Sequence, residues 1–376
     1  MHADPLLRPL FAELAPTLAG TQLVDCHTHI GQNDPDGFTC SVEELTEALE
    51  QADARGVAFA MHEPGGYREA NDAVVAAAEA SDGRFVAFCR LDPRAEDATA
   101  EAERALDAGA RGIKLHPRAE QFALHDDIAA PIFALADERR VPVLVHAGRG
   151  IPALGRDAIA LAECHPHAPI ILAHAGISDL AWLWARVGGL RNLLFDTSWW
   201  SPSDLLALLS LVPPGQVLYA SDAPYGTPLQ AAIVTARCAL QVGITPEQLR
   251  EVMGGQMTRL LDGGAPLDLG PAPGAHRLAT DLLLDRVHTY VGGAVGRLME
   301  GGDGLESLAL AKLACDVPPD APQYEVCRAI IGLLDAHRTY VTEHTVPEGA
   351  PRFPGMHLLV VAAVLARTPD VPVPAE

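Results

Sequence analysis

The sequence predicts an α/β protein, a (β/α)8 TIM barrel with a C-terminal α-helical appendage. Between about residues 20 and 262, eight short apolar runs each precede a segment with helical periodicity. The runs are mostly apolar, as expected for parallel strands that are buried on both faces. Histidines and an aspartate end several of the runs, and this is the end at which such a barrel carries its active site.

The first strand ends in the histidine pair His27 and His29. In a β-strand, residues two apart lie on the same face, so both imidazoles are expected to point the same way. The side chain of Cys26 is then expected on the opposite face, packed against a helix. A lone pair of this kind is a weak indication of a metal site, because paired histidines also occur on solvated strands.

The remaining elements follow in regular order. A leading helix is expected over residues 5–20, and Ser41 with Glu44 forms a capping box that predicts the start of the first barrel helix. Strands two to eight are expected at 57–62, 85–91, 112–116, 141–146, 170–174, 192–196 and 217–222. The helices after strands two, three, four, seven and eight are expected at 69–80, 95–108, 127–139, 202–211 and 228–242. The helix after strand five should end at Cys164, and the helix after strand six should begin near Ser178.

A doubly wound open sheet is the competing fold. It usually has fewer strand–helix units, and a glycine-rich phosphate-binding turn follows its first strand. Here the histidine pair occupies that position. This difference favours the barrel.

Residues 1–262 are therefore assigned to the barrel, which a helix over 246–261 completes. Residues 263–274 form a Pro/Gly-rich linker. In the C-terminal segment 275–376, helical spacing predicts four helices, at 278–299, 305–315, 324–343 and 356–367. The histidines of this segment have no partners at ligand spacing, so they are expected to be structural or surface residues: His276, His288, His337 and His344.

Composition excludes several classes of partner. The chain has 376 residues and a formal net charge of −22, which argues against binding to nucleic acid or to an anionic membrane surface. No apolar stretch approaches the roughly 20 residues of a membrane span, and the first residues do not resemble a signal segment. The seven cysteines have no tight spacing, as expected for reduced thiols. We therefore expect a cytoplasmic protein that acts on a small molecule.

The candidate site residues lie at the expected strand ends. They are His27 and His29 on strand one, Lys114 and His116 on strand four, His146 on strand five, His174 on strand six and Asp222 on strand eight. Any one of them has an ordinary structural explanation. Together, imidazoles and a carboxylate at one end of a barrel are the ligands that a catalytic divalent metal requires.

These motifs resemble the amidohydrolase superfamily, and within it the amidohydrolase-related branch that includes aminocarboxymuconate-semialdehyde decarboxylase. The resemblance covers roughly residues 20–262 and leaves the helical appendage outside. It rests on Asp25-Cys26-His27-Thr28-His29, His146-Ala147-Gly148, His174-Ala175-Gly176 and Ser221-Asp222-Ala223-Pro224.

The resemblance implies that His27, His29, His146 and Asp222 bind a divalent metal, with zinc as the expected ion. It implies that His174 is either a ligand to a second metal or the catalytic base. Asp222 or His174 would take a proton as water attacks a polarised carbonyl.

The role of Lys114 determines whether the predicted site holds one metal or two. Some branches of the superfamily carry a carboxylated lysine at the end of strand four, where it bridges two metals, and arginine cannot form this carbamate. Lys114 is one of only two lysines in the chain. The alternative is that Lys114 pairs with an acid or with a substrate anion.

Substrate contacts are predicted from the loops that follow the strands. Arg149 could clamp a carboxylate, and Trp199 with Trp200 could form an aromatic wall. His116 is expected to contact substrate or to orient a ligand. Glu63, Arg118 and Tyr225 are weaker candidates.

The sequence thus predicts a metal-dependent hydrolase acting on an amide, lactone, ester or related bond of a small, carboxylated substrate. The main alternative is a metal-dependent non-oxidative decarboxylase. The third is a non-catalytic assembly protein, against which the full set of predicted ligands argues. The C-terminal helices are expected to form a homo-oligomer surface or a lid over the barrel mouth.

Overall fold

The computed structural model describes residues 3–148, 153–344 and 354–374. Its strands and helices alternate as the sequence predicts, and the fold prediction is confirmed: a (β/α)8 barrel with a C-terminal group of helices. Successive strands of the barrel pair in parallel, in chain order. They are Leu23–Ile30, Ala54–Ala60, Phe85–Ala87 continued by Cys89–Arg90, Ile113–Leu115, Val143–Val145, Ile170–Leu172, Leu193–Asp196 and Val217–Leu218.

Hydrogen bonds between strand one and the residues that directly follow strand eight close the barrel. The amide of Cys26 donates to the carbonyl of Tyr219 at 3.0 Å, and the amide of Asp222 donates to the carbonyl of His27 at 2.9 Å. The amide of His29 donates to the carbonyl of Ala223 at 2.8 Å. The backbones that carry the two histidines and Asp222 are therefore joined directly.

A β-bulge in strand one changes which residues face the interior of the barrel. Asp25 pairs with Gly56 and Thr28 pairs with Ala58, so strand one contains one extra residue between these pairs. Cys26 packs in the interior cluster with Val24 and Phe59, before the alternation shifts. The expectation that Cys26 lies on the face opposite the histidines is therefore wrong, because it assumed unbroken alternation. The cluster that holds Cys26 does include residues of a helix, Gln256–Leu261.

The helices of the barrel begin and end within a few residues of their expected positions. The leading helix α1 is Asp4–Leu18. The helices that follow strands one to eight are α2 Val42–Gln51, α3 Arg68–Ala80, α4 Ala98–Asp107, α5 Ala130–Arg139, α6 Gly155–Cys164, α7 Leu180–Val187, α8 Pro202–Leu211 and α9 Pro228–Gln241. The predicted capping box of α2 is present, with Ser41 and Glu44 each bonding the other's backbone amide.

The helix expected over 246–261 is interrupted. It consists of α10 Pro246–Arg250, a π-helical turn at Glu251–Gly255, and α11 Gln256–Leu261. At Gly254 the chain passes so close to the backbone of Gln22 that a Cβ would clash with its carbonyl oxygen. The break allows α11 to direct its apolar residues into the interior cluster of the barrel.

The four C-terminal helices are α12 Leu282–Met299, α13 Leu305–Ala314, α14 Tyr324–Glu343 and α15 Met356–Arg367. Helix α15 contacts α12 and α14 of this group and also α8 and α9 of the barrel. Residues 263–274 contain neither helix nor strand. The domain boundaries drawn from the sequence stay a prediction. Within the described ranges, no helix is long and apolar enough to cross a membrane.

Arg237 of α9 joins the barrel to the chain that follows α15. Its side chain is fully buried and donates to the hydroxyl and the carbonyl of Thr368, each at 3.0 Å. It also donates to the carbonyls of Val371 at 2.8 Å and Pro372 at 2.7 Å. Burial lowers the pKa of Arg237 to about 10. The guanidinium thus satisfies backbone acceptors that follow α15.

We predict that Arg237→Met lowers the free energy of unfolding by at least about 3 kcal/mol, because several buried carbonyls lose their donor. The matched control is Arg191→Met, which removes an exposed ion pair with Asp268 and should change the free energy by less than about 1 kcal/mol. Urea unfolding followed by circular dichroism measures both. Equal midpoints for the two variants would contradict the anchoring role.

Candidate active site

A cavity of about 1160 Å³ opens at the C-terminal ends of the barrel strands. The predicted site residues that line it are His27, His29, Lys114, His116, His146, His174, Trp199, Trp200 and Asp222. Of the weaker candidates, Arg118 and Tyr225 line it, whereas the carboxylate of Glu63 accepts a hydrogen bond from Asn33. Arg149 lies outside the described residues.

His27 is oriented by Asp196, a residue that the sequence analysis did not select. Nδ1 of His27 donates to Oδ2 of Asp196 at 2.8 Å, and both side chains are buried. This leaves Nε2 of His27 facing the cavity, 3.0 Å from Oδ1 of Asp222. Asp196 ends a buried apolar strand, and this position was the available signal for it.

His146 and His174 form a second contact within the cavity. Nδ1 of His174 donates to the carbonyl of Ser198 at 2.9 Å, so its Nε2 is the basic nitrogen and lies 3.0 Å from Nδ1 of His146. Gly148 permits this approach, because a Cβ there would lie 2.6 Å from the His174 ring. Steric exclusion of a side chain therefore explains the glycine in the motif His146-Ala147-Gly148.

Asp222 lies between the histidines. Its Oδ1 is 3.0 Å from Nε2 of His29 as well as from that of His27, and its Oδ2 is 3.9 Å from Nδ1 of His174. Burial opposes ionisation of Asp222, but the charges of His27 and His174 with hydrogen bonds from His27 and His29 hold its pKa well below the ordinary value. Burial lowers the pKa of His29 to about 3.

These residues fit a divalent metal. One ligand atom from each of His27, His174 and Asp222 lies within 4.8 Å of the others. Nδ1 of His29 and Nε2 of His146 are buried and have no hydrogen-bond partner among the described residues. Imidazole nitrogens with a carboxylate oxygen suit zinc or another first-row divalent ion. Which of these residues are ligands stays a prediction.

Lys114 lies beside this group. Its side chain is fully buried, with Nζ 3.1 Å from Nε2 of His27 and 4.7 Å from the centre of the Phe59 ring. Burial lowers its pKa to about 8. No carboxylate in the described part of the chain forms an ion pair with it. Because Lys114 lines the cavity, its charge is available to a ligand there.

A second cation in the cavity wall, Arg90, was not selected from the sequence. Its guanidinium donates to Glu120 at 2.8 Å, and both side chains are buried. The hydroxyl of Tyr67 also donates to Glu120. Arg90 lies on strand three, where a charged residue in an apolar run was the signal. Because Glu120 neutralises Arg90, Lys114 is the less compensated of the two cations.

Aromatic rings line other parts of the cavity. His116 stacks on His146, with ring centres 3.8 Å apart and an interplanar angle of 10°. The ring of Trp199 lies 6.2 Å from that of His174, and its Nε1 donates to Asp204 at 2.7 Å. Nε1 of Trp200 is buried without a hydrogen-bond partner in the described structure. The predicted aromatic wall is thus adjacent to the histidines.

Residues 24–262 match the family model described as amidohydrolase. No curated protein matches the sequence of the chain.

Three solved structures share the fold, with sequence identities that support no more than the fold. One is 2,6-dihydroxybenzoate decarboxylase in complex with 2,6-dihydroxybenzoate, at 15% identity and a TM-score of 0.52; the match covers 64% of this chain and 99% of that one. The second is 5-carboxyvanillate decarboxylase from Sphingomonas paucimobilis, at 16% identity and a TM-score of 0.51, covering 65% and 99%. The third is a dihydroxybenzoic acid decarboxylase from a Polaromonas species with bound manganese and 2-nitroresorcinol, at 16% identity and a TM-score of 0.52, covering 64% and 97%.

We predict that Asp196→Asn weakens zinc or manganese binding by about 10- to 100-fold, because the carboxylate that orients His27 is lost. Competition with a metal-indicator dye measures the affinity. The matched control is Asp107→Asn, which removes an exposed carboxylate paired with Arg139. If both variants bind metal as tightly as the wild type, Asp196 does not support the site.

Proposed function

The chain belongs to the amidohydrolase family, and from that premise we propose that it is a metal-dependent hydrolase. Its substrate is a small carboxylated molecule with an amide, lactone, ester or related bond. The observation that carries the proposal is the position of Asp222, whose carboxylate contacts His27 and His29 and faces His174 in one cavity.

In this proposal His27, His174 and Asp222 hold the metal, with His29 and His146 as adjoining ligands. A divalent metal supplies Lewis acidity there when bound, and zinc remains the expected ion. Asp222 accepts a proton from the attacking water in this proposal, because it is the carboxylate that lies between the histidines in the cavity. Asp196 holds the ring of His27 throughout, through the bond to Nδ1.

Lys114 supports the carboxylated character of the substrate. It is buried in the cavity wall without a carboxylate partner among the described residues, so a substrate carboxylate would offset its charge. Carboxylation of Lys114 to a bridging carbamate is the other way to neutralise it. Binding of a substrate carboxylate by Lys114 predicts one metal per chain, whereas a bridging carbamate predicts two.

Non-oxidative decarboxylation is the second candidate. It is favoured by three of the solved structures that share this fold, which are described as decarboxylases of hydroxylated or methoxylated benzoates. The same residues would serve it, with the metal orienting the substrate carboxylate and Asp222 and His174 moving the proton.

The surroundings of the enzyme are also proposals. The net charge of −22 supports a small-molecule substrate and the absence of a nucleic-acid partner. We propose a cytoplasmic protein that forms a homo-oligomer through its C-terminal helices.

Two assays separate the reactions. We predict metal-dependent hydrolysis within a panel of aryl esters and lactones, with one ¹⁸O atom from labelled water in the acid product. Asp222→Asn should lower kcat at least about 100-fold, because the proton acceptor is lost. Asp268→Asn on the surface is the control.

Release of carbon dioxide from 2,6-dihydroxybenzoate or 5-carboxyvanillate, without incorporation of ¹⁸O, would replace the hydrolase proposal with the decarboxylase.

Lys114 has its own test. If Lys114 binds substrate, we predict one metal per chain both in the wild type and in Lys114→Met. Elemental analysis of protein grown with zinc and bicarbonate measures the metal content. Loss of Lys114 should then raise KM for carboxylated substrates more than it lowers kcat. Two metals per chain, falling on loss of Lys114, would identify a carbamate-bridged pair. Lys312→Met is the control, since Lys312 pairs with Asp335 on the surface.

A further inference from the structure

Helices outside the family match contribute to the wall of the active-site cavity. The barrel residues that match the family end at residue 262. Met299 from the end of α12 and Met356, His357 and Val360 from the start of α15 line the same cavity as His27 and Asp222. The site is therefore built from two parts of the chain.

Helix α15 is held firmly against the barrel. It packs on α8 and α9, and the side chains of residues 358–366 are buried. Beyond its C-terminal end, Arg237 binds the backbone, and the side-chain amide of Gln241 donates to the carboxylate of Asp370 at 2.8 Å. These contacts fix the body and the C-terminal end of α15 against the barrel.

The first turn of α15 also contacts the loop that carries Asp222. His357 is partly buried, lies near the carboxylate of Asp4 and hydrogen-bonds to the backbone of Tyr225. The ring of Tyr225 lies 5.5 Å from that of His29 and 4.7 Å from that of Phe38. A short series of contacts thus connects α15 with the histidines of strand one.

The two sides of the cavity differ in chemistry. One side carries the imidazoles, Asp222 and Lys114. The residues that α12 and α15 add are two methionines and a valine besides His357. Methionine side chains are flexible and polarisable, and they adapt to apolar groups of different shape. A ligand that fits both sides has a polar reacting end and an apolar body.

We propose that the first turn of α15, with Met299, is the specificity wall of this enzyme and contacts an apolar acyl or aryl group of the substrate. His357 is a positioning residue that holds this turn on the Tyr225 loop. The inference rests on the proposed function, because it takes the polar end of the substrate to lie at the metal-binding residues.

Straight-chain carboxylates test the wall without knowledge of the substrate. The background is Trp182→Phe/Trp184→Phe, which removes the two exposed tryptophans of α7 and leaves Trp199 and Trp200 in the cavity as fluorescence reporters. Dissociation constants are measured for acetate, butyrate, hexanoate and octanoate on zinc-loaded protein. Affinity should rise by roughly fourfold per methylene that reaches the wall.

Met356→Ala should reduce the ratio of the acetate to the octanoate dissociation constant at least threefold. Met356→Leu, which conserves volume, should keep the ratio within about twofold of the background protein. Leu313→Ala on the exposed face of α13 is the surface control. His357→Leu should reduce the ratio as well, and His357→Gln, which keeps a side-chain donor, should restore it.

Failure of the specificity wall and failure of the proposed function give different results. An unchanged ratio in Met356→Ala, or no rise along the series in the background protein, would overturn the specificity wall. A rise along the series that survives both removal of zinc by chelation and Lys114→Met would leave the wall in place and overturn the polar end of the proposed function.

Discussion

The active site depends on how strand one meets strand eight. The buried carboxylate of Asp25 accepts hydrogen bonds from the amides of His27 at 3.1 Å and Ser221 at 3.0 Å. Burial, opposed by these bonds, raises the pKa of Asp25 to about 7. One side chain thus fixes the bulge of strand one and joins it to strand eight. Without the bulge, alternation would continue from Cys26, and His27 would face away from the interior of the barrel.

Burial of so many polar groups requires that each be paired. Taking imidazoles and carboxylates out of water costs several kcal/mol per uncompensated charge. Asp196 compensates His27, the carbonyl of Ser198 binds His174, and Glu120 compensates Arg90. Several buried polar atoms lack a hydrogen-bond partner in the described structure, among them one nitrogen each of His29 and His146 in the cavity. The ammonium of Lys114 contacts His27 but pairs with no carboxylate of the described residues. A metal would satisfy the two nitrogens, and a substrate anion would offset the charge of Lys114.

The sequence was sufficient for the order of the elements, because buried parallel strands and amphipathic helices leave local patterns. It also located the polar residues at the strand ends, since a barrel brings those ends together. It did not reveal the bulge at Cys26, which depends on pairing with strand eight. The bond from His27 to Asp196 spans 169 positions of the chain, and no local pattern records such a contact. The sequence offered a lid over the barrel mouth as one role of the C-terminal helices, but for the same reason it did not identify the residues of α15 that line the cavity.

The division between barrel and appendage has a physical consequence for specificity. The groups that bear the chemistry lie on strands whose backbones are joined by barrel closure, so few substitutions there leave their spacing intact. The apolar wall comes from helices whose contacts with the barrel run through Arg237 at one end and His357 at the other. Side chains such as Met356 can change in size without moving Asp222 or the histidines. Under the proposed function, substitutions in the C-terminal helices of this chain are therefore expected to alter the substrate range while the reaction at the strand ends is kept.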